Sequence, residues 1–199
     1  MVNRAAPAAR RLARGAAMIE VLVTMVIIAF GLLGLSGLQV RLQASEMEAY
    51  QRTQALLLLN DLKGRMEANR LQVGQYDDEA PVATPLGVGM DCPAPGASAL
   101  RVKKDAAEWC NLLQGAAETK AATRLGAIVG ARGCVEDLGT GANGDRSMRV
   151  TVAWQGLTPT APPVEACGAG QYNGPAGASC QGDLCRRTVS TIVRIAKLQ

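Results

Sequence analysis

The chain has 199 residues, 48% of them apolar and only 3% aromatic: room for one membrane-crossing helix and one globular domain with a core of Val, Leu, Ile, Met and Ala, but not for a second full domain. Its formal charge of +4 comes entirely from Arg4, Arg10, Arg11 and Arg14, because without these four the 21 basic residues fall to 17, equal to the 17 acidic ones. That distribution lacks the electrostatic footprint of nucleic-acid binding, and a chain with no histidine, no nucleophile elbow and no paired carboxylates in apolar surroundings offers no catalytic constellation.

Residues 1–15, MVNRAAPAARRLARG, are arginine-rich, free of acids and end in Gly15. Residues 16–38 follow as AAMIEVLVTMVIIAFGLLGLSGL, in which Glu20 is the only charge. The apolar run over residues 21–38 meets the minimum for spanning a hydrocarbon core as a helix. Basic residues before it predict a cytoplasmic N-terminus with the remainder translocated. A conventional secretory signal has a shorter apolar region and a small-x-small exit, whereas here Leu42-Gln43-Ala44 puts a large residue where a small one is needed. An uncleaved anchor explains the length but not Glu20. An ionisable group inside a membrane segment costs about 2.5–3.5 kcal/mol at the centre of a helix, less near its end, and calls for a partner. A cut after Gly15 makes Glu20 the fifth residue, one helical turn from a new cationic amine on Ala16. Staggered neighbouring helices can then match carboxylate to amine.

The string Gly15-Ala16-Ala17-Met18-Ile19-Glu20-Val21-Leu22 resembles the class III signal of type IV pilins and type II secretion pseudopilins. The resemblance implies removal of residues 1–15 by prepilin peptidase, methylation of the new N-terminus at Ala16 and use of Glu20 in assembly with other pilin subunits, major and minor. It also implies an inner-membrane precursor, with residues 16–38 as transmembrane and assembly helix, residues 39–70 as the amphipathic half of the same helix, and residues 71–199 as a periplasmic α+β head. Ala16 departs from the aromatic residue or Met more usual at that place.

Gly31, Gly34 and Gly37 recur at every third position, each costing about 1 kcal/mol relative to Ala inside a helix. They mark either a small-residue packing face in lipid or the stretch that resembling filament proteins melt on assembly. Over residues 39–70 an apolar stripe of Met47, Tyr50, Leu58, Leu62 and Met66, separated by charged residues, predicts a helix laid on a domain. The leucines of residues 56–59 read as core. Residues 60–70, NDLKGRMEANR, resemble the end of the long helix in PilV-type minor pilins, the type IV pilus modification proteins.

Residues 71–100, rich in Gly and Pro, read as loop, with Asp77-Asp78-Glu79 as a solvated turn. A short helix is predicted over residues 103–122, with Trp109 as a core plug. Met148, Val150, Val152 and Trp154 alternate with more polar residues and predict a strand. Residues 133–137 and 188–195 are its expected neighbours, giving three antiparallel strands packed on the helix. Gly139, Gly141 and Gly144 match dinucleotide-loop spacing by accident, since a strand follows where a helix is required. Asn143-Gly144 suits a hairpin turn with positive φ.

All six cysteines, Cys92, Cys110, Cys134, Cys167, Cys180 and Cys185, fall in the second half. Without histidine or a Cys-x-x-Cys pair, disulfides fit better than zinc, and three bridges can be drawn in fifteen ways. They predict staples for the Gly- and Pro-rich residues 156–183, which otherwise form an overlong loop and are the expected surface for neighbouring subunits. The ending Cys185-Arg186-Arg187-Thr188-Val189 again resembles PilV-type proteins.

These readings converge on an α+β, pilin-like fold: a long N-terminal helix packed on a small antiparallel sheet with a disulfide-stapled C-terminal loop. The resemblance implies a minor pilin that initiates or modifies a type IV pilus and supports adhesion and twitching motility, without cofactor, metal or nucleic acid. Two alternatives share parts of the pattern. One is a minor pseudopilin of a type II secretion system, and the other a membrane-anchored periplasmic binding module that never enters a filament.

Overall fold

The computed structural model describes residues 14–92, 94, 96–116, 119–120, 123–124 and 128–196. Residues 1–13 of the expected leader, and residues 117, 118, 121 and 122 of the predicted short helix, lie outside the described residues. The chain divides into two units, Met1–Ser45 and Glu46–Gln199.

Helix α1 runs without a break from Arg14 to Ala68. No proline falls within it, so every turn keeps its donor. The polar side chains in the apolar stretch serve the same helix, Thr24 donating to the Val21 carbonyl at 2.8 Å and Ser36 to that of Leu32 at 2.9 Å. Such local bonds hide a hydroxyl's polarity where water is scarce.

In the second unit, α1 is followed by a 3-10 helix over Arg70–Gln75 and a single turn, α2, over Tyr76–Glu79. Strand β1 is Leu86–Gly87, and helix α3 covers Arg101–Leu113. A small hairpin of β2, Thr119–Lys120, and β3, Thr123–Arg124, precedes the long strands β4, Arg132–Thr140, β5, Arg146–Gln155, and β6, Arg186–Ile195. The main sheet has the order β1-β4-β5-β6 and is antiparallel throughout. The architecture is α+β, with four strands where the alternation had predicted three. The extra one, β1, has only two residues and therefore no period to detect.

One core is shared by helices and sheet. Ala55, Leu59, Leu62 and Met66 of α1 and Val102, Ala106, Trp109 and Leu113 of α3 join the even-numbered face of β5, Met148, Val150, Val152 and Trp154. Trp109 is fully buried, and its indole N–H donates to the Leu58 carbonyl at 2.8 Å, tying α3 to α1. The stripe on α1 is thus displaced from the expected one. Met47 and Tyr50 are exposed, while Gln51 and Ala55 are buried; Leu56 and Leu57 are also exposed, so only the second half of that leucine run is core. A helix of 3.6 residues per turn cannot turn four consecutive side chains inward.

The loop expected over residues 71–100 instead begins with two helical turns, because Tyr76 is pulled into the core. Helix α3 stops at Leu113 rather than continuing to residue 122, since Gly115, at φ 85°, ends it with a left-handed turn and donates to the Leu112 carbonyl, a common role for glycine at that place. At the β4–β5 turn only Gly144 has positive φ, 78°. Its N–H reaches the Gly141 carbonyl at 2.9 Å, and a register shift lies between Asp137 and Thr140.

The six cysteines form three disulfides, Cys92–Cys110, Cys134–Cys167 and Cys180–Cys185. Cys134–Cys167 closes the longest loop, with a sequence separation of 33, so by chain entropy it contributes about 3.7 kcal/mol. Replacing both of its cysteines with Ser is expected to lower the unfolding free energy by roughly that amount. Losing the bridge with a separation of 5, Cys180–Cys185, should cost about 2 kcal/mol. Urea unfolding followed by circular dichroism would measure both, and an inverted order would refute the loop-entropy account.

Candidate functional site

Gly15, Ala16 and Glu20 all lie in the first turns of α1. Glu20 is exposed and has no ion-pair or hydrogen-bond partner among the described residues. Around it, Met18, Ile19, Val21, Leu22, Val23, Met25, Val26, Ile27, Ile28 and Phe30 are each at least half exposed. The helix is long and apolar enough to cross a membrane, with an 18-residue window of mean hydropathy 2.5 and none of that window buried. An isolated rod of this kind is costly in water, since burying each such side chain is worth about 1.5–3 kcal/mol. Gly31, Gly34 and Gly37 are helical, with open space where a side chain would stand. Close approach of a second helix is therefore sterically free along that line.

Neither protein-family models, nor curated proteins, nor solved structures match this chain.

The head carries a second group of interactions that hold the stapled loop. Glu48, on the first turn of α1 belonging to the head unit, receives four donors on one carboxylate oxygen: the backbone N–H of Leu157 at 3.2 Å and of Thr158 at 3.4 Å, the Thr158 hydroxyl at 3.2 Å and the Arg187 guanidinium at 3.1 Å. Arg187 also donates to Thr160 Oγ1 at 2.7 Å and to the Thr158 carbonyl at 2.7 Å. Burial alone would push the Glu48 carboxyl up, but the charge of Arg187 and the donors from Thr158 and Leu157 outweigh it and hold the group below its ordinary value.

Arg186, only 4% exposed, turns to the opposite face of the sheet and donates to the carbonyls of Glu165, of Cys167 at 3.0 Å and of Pro163 at 3.2 Å. The Asp183 carboxylate lies 3.3 Å from its Nε, close enough for charge attraction although the angle is too poor for a hydrogen bond there. Asp183 itself, at φ 62°, accepts the Gly170 N–H at 2.9 Å. Tyr172 donates its hydroxyl to the Gly130 carbonyl at 2.8 Å and packs with Cys134, Ala153 and Cys167 as a second small core. Residues of the 156–183 segment, Cys167 and Tyr172 among them, therefore cover part of the outer sheet face, and Thr151 and Ala153, on the face the alternation marked as largely polar, are buried beneath them.

Sequence reasoning named Gly15, Ala16, Glu20 and the cysteines, and quoted Arg186 and Arg187 only as part of a family-like ending; it gave no contact for either and passed over Glu48. The spacing of residues does not reveal the Glu48 contacts, because its partners lie 109 to 139 residues away. Among the described residues no group of three His, Cys, Asp or Glu side chains is placed to hold a metal ion.

The Glu48 contact has a testable sign. Its carboxyl titrates below the ordinary value of 4.5, so the stability it adds is present above that pH and is lost as the pH falls through the lower folded value. In Glu48→Ala at pH 7, hydrogen-exchange protection of the Leu157 and Thr158 amides is expected to fall about fivefold, as befits a net loss near 1 kcal/mol. The unmodified chain should converge on that variant only on acidification below 4.5. Equal protection in both chains at neutral pH would dispose of the contact.

Proposed function

We propose that this chain is a PilV-type minor pilin, synthesised as a prepilin, cut between Gly15 and Ala16, methylated on Ala16 and built into a type IV pilus through α1 and Glu20. The observation that carries the reading is the carboxylate of Glu20, without a partner among the described residues, at the start of a helical stretch whose apolar side chains from Met18 to Leu42 are exposed. Lipid satisfies those side chains in the precursor, and neighbouring helices satisfy them in a filament. Only a neighbour bearing a cationic N-terminus also satisfies Glu20. The partners are then other pilin subunits, prepilin peptidase and the inner membrane. The head faces the periplasm before export to the cell surface, where low-copy subunits support adhesion and twitching motility. Methylation of the Ala16 amine keeps its charge and so preserves the match to Glu20.

The intact mass of the protein from its native envelope tests this directly. With prepilin peptidase present, the chain is expected to begin at Ala16 and to carry one added methyl group; without the peptidase it should retain residues 1–15. A full-length chain in the presence of the enzyme would favour an anchored binding module that never enters a filament.

A further inference from the structure

Residues 157–166 lie on the molecule without an anchor of their own in the core. None of them is buried, and their two bulky apolar side chains, Leu157 and Val164, are 50% and 99% exposed. The chain on either side is held differently. Gly156 is buried and donates to the Cys185 carbonyl at 2.7 Å, while Cys167 is bonded to Cys134 and is buried together with Gly168 and Tyr172. Apolar burial is the main force that keeps a segment in place, and over this stretch it is missing.

What fastens residues 157–166 is polar and is concentrated at two carboxylates. At one end, Glu48 of α1 accepts the N–H groups of Leu157 and Thr158 and the Thr158 hydroxyl, and Arg187 bridges Glu48 to the Thr158 carbonyl and to Thr160 Oγ1. At the other end, Glu165 accepts the hydroxyls of Thr188 and Ser190 on β6, each at 2.9 Å. Between them Arg186 donates to the carbonyls of Pro163 and Glu165, and the Thr160 N–H donates to the Leu184 carbonyl at 2.7 Å. Pro159, Pro162 and Pro163 have no N–H to add. The guanidinium of Arg187 reaches its partners by lying across Gly156, where a side chain would stand 2.6 Å from Arg187 Cζ.

Both carboxylates are charged at neutral pH. Burial pushes Glu48 up, but the facing Arg187 of β6 and the donors from residues 157 and 158 hold it below its ordinary 4.5. Glu165 is held below the same value by its own backbone N–H and the two hydroxyls, and it faces Arg149 of β5, which also pairs with Glu136 of β4 across the groove. The stability each carboxylate adds is therefore present above 4.5 and is lost as the pH falls through the lower folded value. A protonated carboxyl still accepts, but charge-assisted bonds are about twice as strong as neutral ones.

We propose that residues 157–166 form a strap that swings free as one piece when Glu48 and Glu165 are protonated, hinged at Gly156 and Cys167. Opening uncovers the Leu184 carbonyl beside the edge strand β6, while the stapled residues 167–185 stay in place. The device lies wholly within the unit Glu46–Gln199 and does not depend on how the N-terminal helix is processed.

The test is hydrogen exchange of the full chain in detergent micelles, read amide by amide as protection factors. Thr160 is the decisive reporter, because its N–H bonds to a backbone carbonyl that neither carboxylate touches. At pH 7, Glu48→Gln and Glu165→Gln each place a neutral group of similar shape at one fastening. Each is expected to lower the protection of Leu157, Thr158 and Thr160 by the same factor, about fivefold, and the double variant by about twenty-five-fold. The Gly174 N–H, bonded to the Cys180 carbonyl at 3.0 Å, should keep its protection in all three. The unmodified chain should show the same pattern only below 4.5, and the double variant should no longer respond to acid there. Far-UV circular dichroism checks that the acidified chain is folded, and the variants at pH 7 decide the matter if it is not. Unchanged protection of Thr160 in Glu165→Gln would overturn the proposal, since the two ends would then open separately. So would loss of protection spreading to Gly174, or a double variant whose strap still opens in acid.

Discussion

Replacing Asp105 with Ala is expected to lower the stability of the unit Glu46–Gln199 by about 1–3 kcal/mol, the cost of leaving a buried hydrogen-bonding group without its partner. Asp105 is 1% exposed on the inward face of α3. It accepts the Tyr76 hydroxyl at 2.6 Å and lies 3.4 Å from the Arg65 guanidinium and 3.0 Å from that of Arg101. Three elements, α1, α2 and α3, therefore meet on one carboxylate. Burial first, and then donation to Asp105, push the Tyr76 hydroxyl above its ordinary range, so it remains a donor. Arg65 is desolvated, but Glu108 and Asp61 more than restore its charge. In Asp105→Ala both of those acids remain on Arg65, so the loss falls chiefly on Tyr76, left with a buried hydroxyl and only the long 3.4 Å contact to Asn69. Asp105→Asn keeps an acceptor for Tyr76 without the charge and should lose about half as much. Urea unfolding of the three chains would establish the order. A loss under about 1 kcal/mol in Asp105→Ala would mean that Asp61 and Glu108 satisfy Arg65 and that Tyr76 finds water.

Glu20→Ala should leave cleavage after Gly15 intact but reduce the chain's recovery in sheared filaments at least tenfold. On the function proposed above, leader removal depends on the junction itself, whereas assembly would place the cationic amine of a neighbour in apolar surroundings. With its carboxylate gone that amine is unpaired, and a penalty of even about 1.4 kcal/mol per contact is a factor of ten in occupancy. Glu20→Gln preserves shape and hydrogen bonding without charge, so it should fail as Ala does if charge matching is the cause. Wild-type abundance of either variant in filaments, with normal processing, would end the pairing idea.

The long apolar helix and its lone acid were legible in sequence because their signals are local. Ala16 and Glu20 are separated by about one helical turn, and the apolar run after them is continuous. The β5 alternation and the core position of Trp109 likewise depend on spacing along one element. Asp105 left a weaker mark that could have been used: it stands among Val102, Ala106 and Trp109 at helical intervals, an acid on an apolar face. Leu56 and Leu57 show the opposite failure. Composition placed them inside, and only the direction in which α1 meets the sheet turned them out.

The amino-acid order by itself therefore determined the long apolar helix with its single acid, the α+β character and the use of the cysteines as staples. Tertiary structure alone decided how those cysteines pair, the capture of residues 157 and 158 by Glu48, and the burial of Arg186 beneath the loop. The division has a physical cause. Periodicity and hydropathy act over a turn or a pleat and are written into neighbouring residues, whereas a half-buried charge finds partners across chain separations as large as 139 residues, set by which surfaces pack and not by any local spacing.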